Sequence, residues 1–418
     1  MGVAQALLDG ALSGRMACEV ELKYVVDLRL DAVRAELTPP ESVTLTDRID
    51  APLSDPDVDV IVELIGGTTI ACDLIEKALA AGKDVVTANK ALLAEHGDRL
   101  FQLAREKGRS IAFEASVAGG IPVVAAVRTG FIGERIESIY GILNGTCNYV
   151  LTRMLDERIP YDVVLAEAQR LGYAEADPTL DVDGHDSAHK LAVLARLAFG
   201  ANVRLADIPC EGINGVELMD IQDADAMGYT LKLLAVGVRR GERLELRVQP
   251  ALLRRDHPLA AVGGVYNAVC IHGSLVGEVV LTGKGAGRLP TASAVVADIA
   301  RVALGTYGAE FANLTPFGEV PPAQLVPHGE MEMRCYFRLA CRDRPGVMAQ
   351  VAGLLAEEEI SIASVRQQEV AGDADEFVPV VFMTHATRED AMRRALAAIN
   401  KLDVVCGEKT RMLRVEDI

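Results

Sequence analysis

The apolar positions along this chain follow one rhythm for the first hundred residues and others after it. Val3, Leu7, Leu8 and Ala11 recur at helical intervals, so Val3–Leu12 reads as a helix; Val20–Leu28 reads as a strand and Asp31–Leu37 as a second helix. Val58–Ile65 (VDVIVELI) is an almost continuous apolar run, the pattern of a parallel strand covered on both faces. An amphipathic helix over Ala71–Ala81, a strand at Asp84–Thr87, a helix over Ala91–Lys107 and a strand at Ser110–Glu114 follow. Alternating β and α units with short connections predict an α/β fold with a doubly wound, Rossmann-like parallel sheet.

From Glu114 to Gly287 the rhythm changes. Strands at Arg135–Leu143, Leu231–Arg239, Arg243–Pro250, Ala268–His272 and Glu278–Thr282 alternate with helices at Tyr161–Leu171 and Ser187–Phe199, an α+β pattern with a mostly antiparallel sheet. A helix over Thr291–Leu304 precedes a Pro- and Gly-containing stretch, Thr315–His328, that reads as a linker. Met331–Ile418 then reads strand (Met333–Cys341), helix (Gly346–Glu358), strand (Ile360–Glu369), strand (Phe377–His385), helix (Arg388–Asn400), strand (Leu402–Glu408). That βαββαβ order is the ferredoxin-like arrangement. The expected division is a dinucleotide-binding domain over 1–113, with a helix over 291–308 packing back on it. A substrate-binding, catalytic and dimerisation domain covers 114–314, a linker 315–330 and a C-terminal module 331–418.

Composition narrows the function. With 42 basic against 60 acidic side chains the net charge is −18, which repels phosphate backbones and anionic lipid, so neither nucleic acid nor a membrane is an expected partner. The cysteines at 18, 72, 147, 210, 270, 335, 341 and 406 form no C-x-x-C pair and read as reduced thiols. No apolar run reaches the roughly 18 residues of a membrane span, and no export signal is evident; a soluble, cytoplasmic protein is expected.

Candidate chemistry lies where strands end. Gly66-Gly67-Thr68-Thr69 and Thr87-Ala88-Asn89-Lys90 follow parallel strands at their carboxyl ends, where such sheets bind ligands. Lys90 there faces a carbonyl or a nicotinamide, or is simply an exposed helix-start lysine. Asp27 and Arg29 close the second predicted strand; an acid suits the NAD ribose and an arginine the NADP phosphate, so both dinucleotides remain open. Glu114–Pro122 offers two glycines, carbonyls and a carboxylate, either a cation loop or a tight turn. The most polar stretch, Gly172–Lys190, runs into an apolar helix on which Asp186 and Lys190 are four residues apart, one above the other. Such a pair is ordinarily a solvated salt bridge; beside clustered acids able to hold a substrate ammonium, the lysine instead becomes a candidate proton carrier for an alcohol oxygen. His185 and His189 share the same spacing, but without a metalloprotease glutamate between them zinc is the weaker reading. A second Gly-rich turn, Thr282–Ser293, leads into a helix whose amides suit an anionic group, and Asp343-Arg-Pro-Gly346-Val347 lies where paired ferredoxin-like modules commonly bind small amino acids, or is a plain Pro-Gly turn of a module that only dimerises.

Taken together, VELIGG (62–67), VVTANKALLA (85–94), EASVAGGIPVV (114–124), GILNGTCNYVLTRM (141–154), LGYAEADPTLDVDGHDSAHK (171–190) and GKGAGRLPTASAV (283–295) resemble bacterial homoserine dehydrogenase of the regulated type, and the last module resembles an ACT domain. The resemblance implies an NADP- or NAD-dependent enzyme that interconverts homoserine and aspartate 4-semialdehyde in threonine, methionine and isoleucine synthesis, a homodimer or homotetramer inhibited by threonine. It implies Lys190 as proton donor or acceptor with Asp186 beside it, and Glu175, Asp181 and Lys90 as substrate-binding groups. Gly67, Thr68, Lys90 and Gly285 would contact the cofactor. Glu114, with the carbonyls of Val117, Gly119 and Ile121, would form a structural sodium site; Asp343, Gly346 and Val347 would meet the effector.

The chain departs from that pattern in two places. The family begins with a strand and a turn of the form G-x-G-T-V-G-x-G-V, of which Gly2-Val3 resembles only the end, so a shortened N-terminus is expected. Val26 stands where the family often has Arg, which leaves the NADP preference undecided. A rival reading is a non-catalytic amino-acid-sensing subunit; homoserine-dependent reduction of a nicotinamide separates the two.

Overall fold

A computed structural model describes residues 1–367 and 377–418, and the chain in it divides into two compact units. The first comprises Met1–Gly145, Asp186–Ile208 and Val265–Ala323; the second comprises Thr146–His185, Pro209–Gly264 and Gln324–Ile418.

The first unit holds two all-parallel sheets. β1 (Tyr24–Val26) pairs with β2 (Thr44–Thr46), while β3 (Val60–Glu63), β4 (Asp84–Thr87) and β5 (Ile111–Ala112) form a separate three-stranded parallel sheet. The helix Ile70–Ala80 packs Ala71, Leu74, Ile75, Ala78 and Leu79 against β3 and β4, the i, i+3, i+4 spacing that one buried helical face requires. The helix Lys90–Glu106 buries Leu93, Leu100, Phe101 and Ala104 in the same way. Aromatics are scarce in this chain, yet four of its nine phenylalanines meet here. Phe101, Phe113, Phe311 and Phe317 stack or meet edge-on at 4.6–6.1 Å between ring centroids, joining this helix to the helix Thr306–Asn313 and the Thr315–Phe317 turn. The helix Arg288–Ala303 lies against Gly2–Leu8 and β4. Three antiparallel strands complete the unit, with Tyr266–Gly273 central between Ile136–Ile142 and Gly277–Lys284.

In the second unit Tyr229–Arg240 and Arg243–Arg254 form a long hairpin. Arg411–Glu416 pairs parallel to Arg243–Arg254 on one side and antiparallel to Glu332–Arg342 on the other; Phe377–Thr384 and Ile362–Gln367 follow. The helices Val347–Glu357 and Glu389–Ile399 cover this sheet around Phe337, Leu339, Val351, Leu355, Phe382, Met392 and Ile399.

The last strand differs from the sequence expectation. Leu402–Glu408 is a turn and a short 3-10 segment, and the closing strand is Arg411–Glu416. Leu402, Val404 and Val405 are apolar because the turn itself packs on the module's core, a burial that needs no strand periodicity. The predicted strand Ile360–Glu369 is observed over Ile362–Gln367, its residues 368 and 369 lying outside the described residues. The Pro-rich stretch after 315 is held by specific bonds. Arg196 donates to the Pro316 and Gly318 carbonyls, Asn202 exchanges backbone bonds with Pro321 and Ala323, and Leu244 does the same with Gln324 and Val326.

Candidate active site

The helix His185–Phe199 is almost wholly buried along its length, with Leu191, Leu194 and Ala195 at 0% exposure. Its apolar surroundings take Asp186 and Lys190 out of water with it, to 3% and 8% exposure, so their i, i+4 pair is no solvated surface bridge. Lys190 Nζ donates to Asp186 Oδ2 at 2.7 Å and to the Leu143 carbonyl at 2.6 Å. Lys90 Nζ lies 2.9 Å from Asp186 Oδ1, and Asn144 Nδ2 donates to Oδ2 at 2.9 Å. Burial pushes the Asp186 carboxyl up, but the ammonium groups of Lys190 and Lys90 outweigh it and hold the group well below the ordinary carboxylate range. Two lysines sharing one carboxylate leave one net positive charge beside a buried carboxylate, which suits an oxygen that gains negative charge during reaction.

Lys90 is placed by a chain of bonds. Buried Glu63, at the end of β3, accepts from the Ile65 and Gly66 amides at 2.7 and 3.1 Å and from the Thr87 hydroxyl at 2.6 Å. Asn89 caps the helix Lys90–Glu106 by accepting from the Leu92 amide, and its Nδ2 donates to the Gly67 carbonyl at 2.7 Å. Gly66 and Gly67 both have left-handed φ, +80° and +71°, so the turn carrying Gly67 and Thr68 depends on glycine. Among the candidate residues, then, Lys190, Asp186 and Lys90 meet directly, and Gly67 is tied to Lys90 through Asn89. Asn144 and the Leu143 carbonyl were not singled out by sequence reasoning; the only signal was their place in the GILNGT motif. Asp27 accepts from the Arg29 amide at 2.8 Å and so stabilises its own turn.

The Glu114 loop is held by specific bonds. Glu114 is 3% exposed and its two carboxylate oxygens accept from the Val124 and Ala125 amides, each at 2.9 Å, with Arg301 at 3.3 Å. Its own amide donates to Asp298 at 2.7 Å. Burial raises both carboxyls, Glu114 against the pull of Arg301 and Asp298 to about 7. Ala118 and Gly119 are left-handed in succession, φ +52° and +43°, and the Ile121 carbonyl accepts from the Val123 amide at 2.7 Å. Each carboxylate oxygen has two lone pairs, so these bonds leave Glu114 as well as the loop's main-chain carbonyls able to serve a cation. Gly119 and Gly285 touch: a Cβ on Gly119 would stand 2.5 Å from the Gly285 carbonyl, and one on Gly285 would stand 2.0 Å from the Asn267 side chain.

Glu175 and Asp181 belong to the second unit. Glu175 is exposed, with its carbonyl accepting from Gln169, and Asp181 Oδ2 lies 3.3 Å from the Thr146 hydroxyl. In the C-terminal module Asp343 accepts from Gln367 at 3.1 Å; Gly346, φ +90°, and buried Val347 open the helix Val347–Glu357.

A parallel-strand nucleotide fold, a buried lysine–carboxylate pair and a ferredoxin-like C-terminal module define an NAD(P)-dependent oxidoreductase with a regulatory module. Family models agree segment by segment: "Homoserine dehydrogenase, NAD binding domain" over residues 2–114, "Homoserine dehydrogenase" over 122–300 and "ACT domain" over 336–404. Homoserine dehydrogenase of Neisseria gonorrhoeae is 41% identical over all of this chain and 96% of its own length. The crystal structure of a homoserine dehydrogenase from Thiobacillus denitrificans superposes with a TM-score of 0.92 at 38% identity, covering all of this chain and 95% of that one. A hyperthermophilic archaeal homoserine dehydrogenase in complex with NADPH matches at a TM-score of 0.61 and 27% identity, over 73% of this chain and 94% of that one. This chain belongs to the homoserine dehydrogenase family. Among the described residues no helix is long and apolar enough to cross a membrane.

Proposed function

We propose that the chain interconverts L-homoserine and L-aspartate 4-semialdehyde with NADP or NAD, in threonine, methionine and isoleucine synthesis, and that Lys190 carries the proton. The observation that carries this reading is the cluster in which buried Lys190 and half-buried Lys90 share the buried Asp186 carboxylate. An ammonium has three N–H groups. Lys190 directs two at Asp186 and the Leu143 carbonyl, which leaves the third for a substrate oxygen. The nicotinamide supplies or accepts the hydride when bound. In the reductive direction the aldehyde oxygen would gain negative charge, Lys190 would give it a proton and become neutral, and Lys90 would keep the Asp186 carboxylate paired after that transfer. The NADPH bound by the archaeal relative supports a nicotinamide cofactor here, with Gly67, Thr68, Lys90 and Gly285 as its contacts.

Glu175 and Asp181 are the proposed carboxylates for the substrate ammonium. Glu114, with the carbonyls of Val117, Gly119 and Ile121, would hold a sodium ion, and Glu114 also braces the loop through Val124 and Ala125. Threonine would act on the ACT domain at Asp343, Gly346 and Val347. A homodimer or homotetramer fits the strand Gly277–Lys284, which ends its sheet next to exposed Leu275 and Val276. The test is homoserine-dependent reduction of NAD and of NADP, with a threonine titration and replacement of sodium by choline. Reduction of neither dinucleotide sinks the dehydrogenase reading; activity indifferent to threonine or to sodium removes that part alone.

A further inference from the structure

Asp181 sits on a helix of four residues, Thr179–Val182, too short to hold its own position. A neighbouring segment, Cys210–Ile213, straps it down. The Ile213 amide donates to the Val182 carbonyl at 2.7 Å, and the Cys210 thiol to the Asp183 carbonyl at 3.2 Å. Gly212 lies so close that a Cβ there would stand 1.9 Å from the Val182 carbonyl oxygen and 2.3 Å from Asp183 Cα.

The strap is itself anchored. The Glu211 amide donates to the Val248 carbonyl at 2.8 Å, and the Glu211 carboxylate pairs with Arg414 on the strand Arg411–Glu416. Arg414 is 1% exposed and its other guanidinium nitrogen donates to Glu389 at 2.6 Å. Glu389, fully buried, opens the helix Glu389–Ile399 and also pairs with Arg393. One buried guanidinium therefore joins a helix of the C-terminal module to the strap over Asp181. Without the Glu211 carboxylate, Arg414 would still be paired with Glu389, but the strap would lose its side-chain anchor to the strand Arg411–Glu416.

We propose that Glu211 is a positioning residue for the substrate: through Arg414 the C-terminal module fixes the strap Cys210–Ile213, and through it the placement of Asp181. The inference rests on the reading of Asp181 as a substrate-binding carboxylate, and it gives the module a direct mechanical hold on substrate affinity. Steady-state kinetics of the full chain test it with Glu211→Gln, Glu211→Asp and Gly212→Ala. Glu211 is half-exposed, so Glu211→Gln is expected to melt near the parent temperature. Its KM for homoserine should rise about fivefold, with kcat within about twofold and the KM for NADP unchanged. Glu211→Asp, which keeps the charge, should fall between, and Gly212→Ala should exceed Glu211→Gln because the added Cβ must push the helix away. An unchanged homoserine KM in Glu211→Gln overturns the proposal, as does an equal rise in both KM values or a fall in kcat alone. If the parent chain does not oxidise homoserine, the functional reading fails and the inference goes with it; an active parent with unshifted variants refutes the inference only.

Discussion

Lys190→Met removes an ammonium while keeping most of the side chain's length and its apolar stem. The lost group lies 2.7 Å from Asp186 and 2.6 Å from the Leu143 carbonyl on a side chain only 11% exposed. Proton transfer by a positioned group contributes about 10²- to 10⁴-fold in rate. The same ammonium, about 4 Å from an alkoxide at an effective dielectric of about 20, stabilises it by roughly 4 kcal/mol, or about 10³-fold. These are two views of one effect, because the proton that moves neutralises the charge that is stabilised, so the factors do not multiply. We expect kcat to fall about 10³-fold in either direction. The fold should survive, since Asp186 keeps Lys90 at 2.9 Å and Asn144 at 2.9 Å; the loss of stability should be about 1–2 kcal/mol. The assay follows nicotinamide absorbance during homoserine oxidation, with thermal melting to show that the variant is folded. A folded Lys190→Met enzyme within tenfold of the parent kcat refutes the assignment of Lys190 as proton carrier.

Asn144→Ala deletes a hydrogen bond to the Asp186 carboxylate, worth about 1.5–3 kcal/mol; kcat/KM for homoserine should fall roughly tenfold with the cofactor KM unchanged, and a parallel loss in both would contradict that role. Lys232 is 3% exposed, donates to the Val262 carbonyl at 2.6 Å and to Asn148, and burial lowers its pKa to about 8 from 10.5. The unfolded chain then binds the extra proton between those values, so this group's contribution to stability grows as pH rises from about 8 to about 10.5. The melting temperature of the parent relative to Lys232→Met should climb over that window, and a constant difference would disprove it. Asp298 has the opposite sign: its folded pKa of about 7 lies above the ordinary 3.8, so its contribution is present at low pH and is lost as pH rises through about 7. Asp298→Asn keeps an oxygen for the Glu114 amide and should gain on the parent in melts between about pH 4 and pH 8; no pH dependence in the difference would count against a carboxyl held protonated by burial.

By itself the sequence determined the α/β alternation, the antiparallel middle strands and the ferredoxin-like order of the C-terminal module. Burial of one helical face or of both strand faces writes a period of 3.6 or a continuous apolar run into the residues, and that survives without coordinates. It also determined the Asp186–Lys190 spacing, because four residues on a helix always stack. Tertiary structure alone decided whether that pair was a surface bridge or a buried site, since the answer depends on what covers the helix and on Lys90, almost a hundred residues earlier, reaching Asp186. It also decided that the Glu114 carboxylate accepts from the Val124 and Ala125 amides, and that Leu402–Glu408 is a core-packed turn followed by the true last strand. Arg414 shows the limit most plainly. In the sequence it is one arginine in the short run RMLRVE; only the pairing of that strand places its guanidinium on Glu389 and Glu211, because contacts between residues far apart in the chain leave no local period to read.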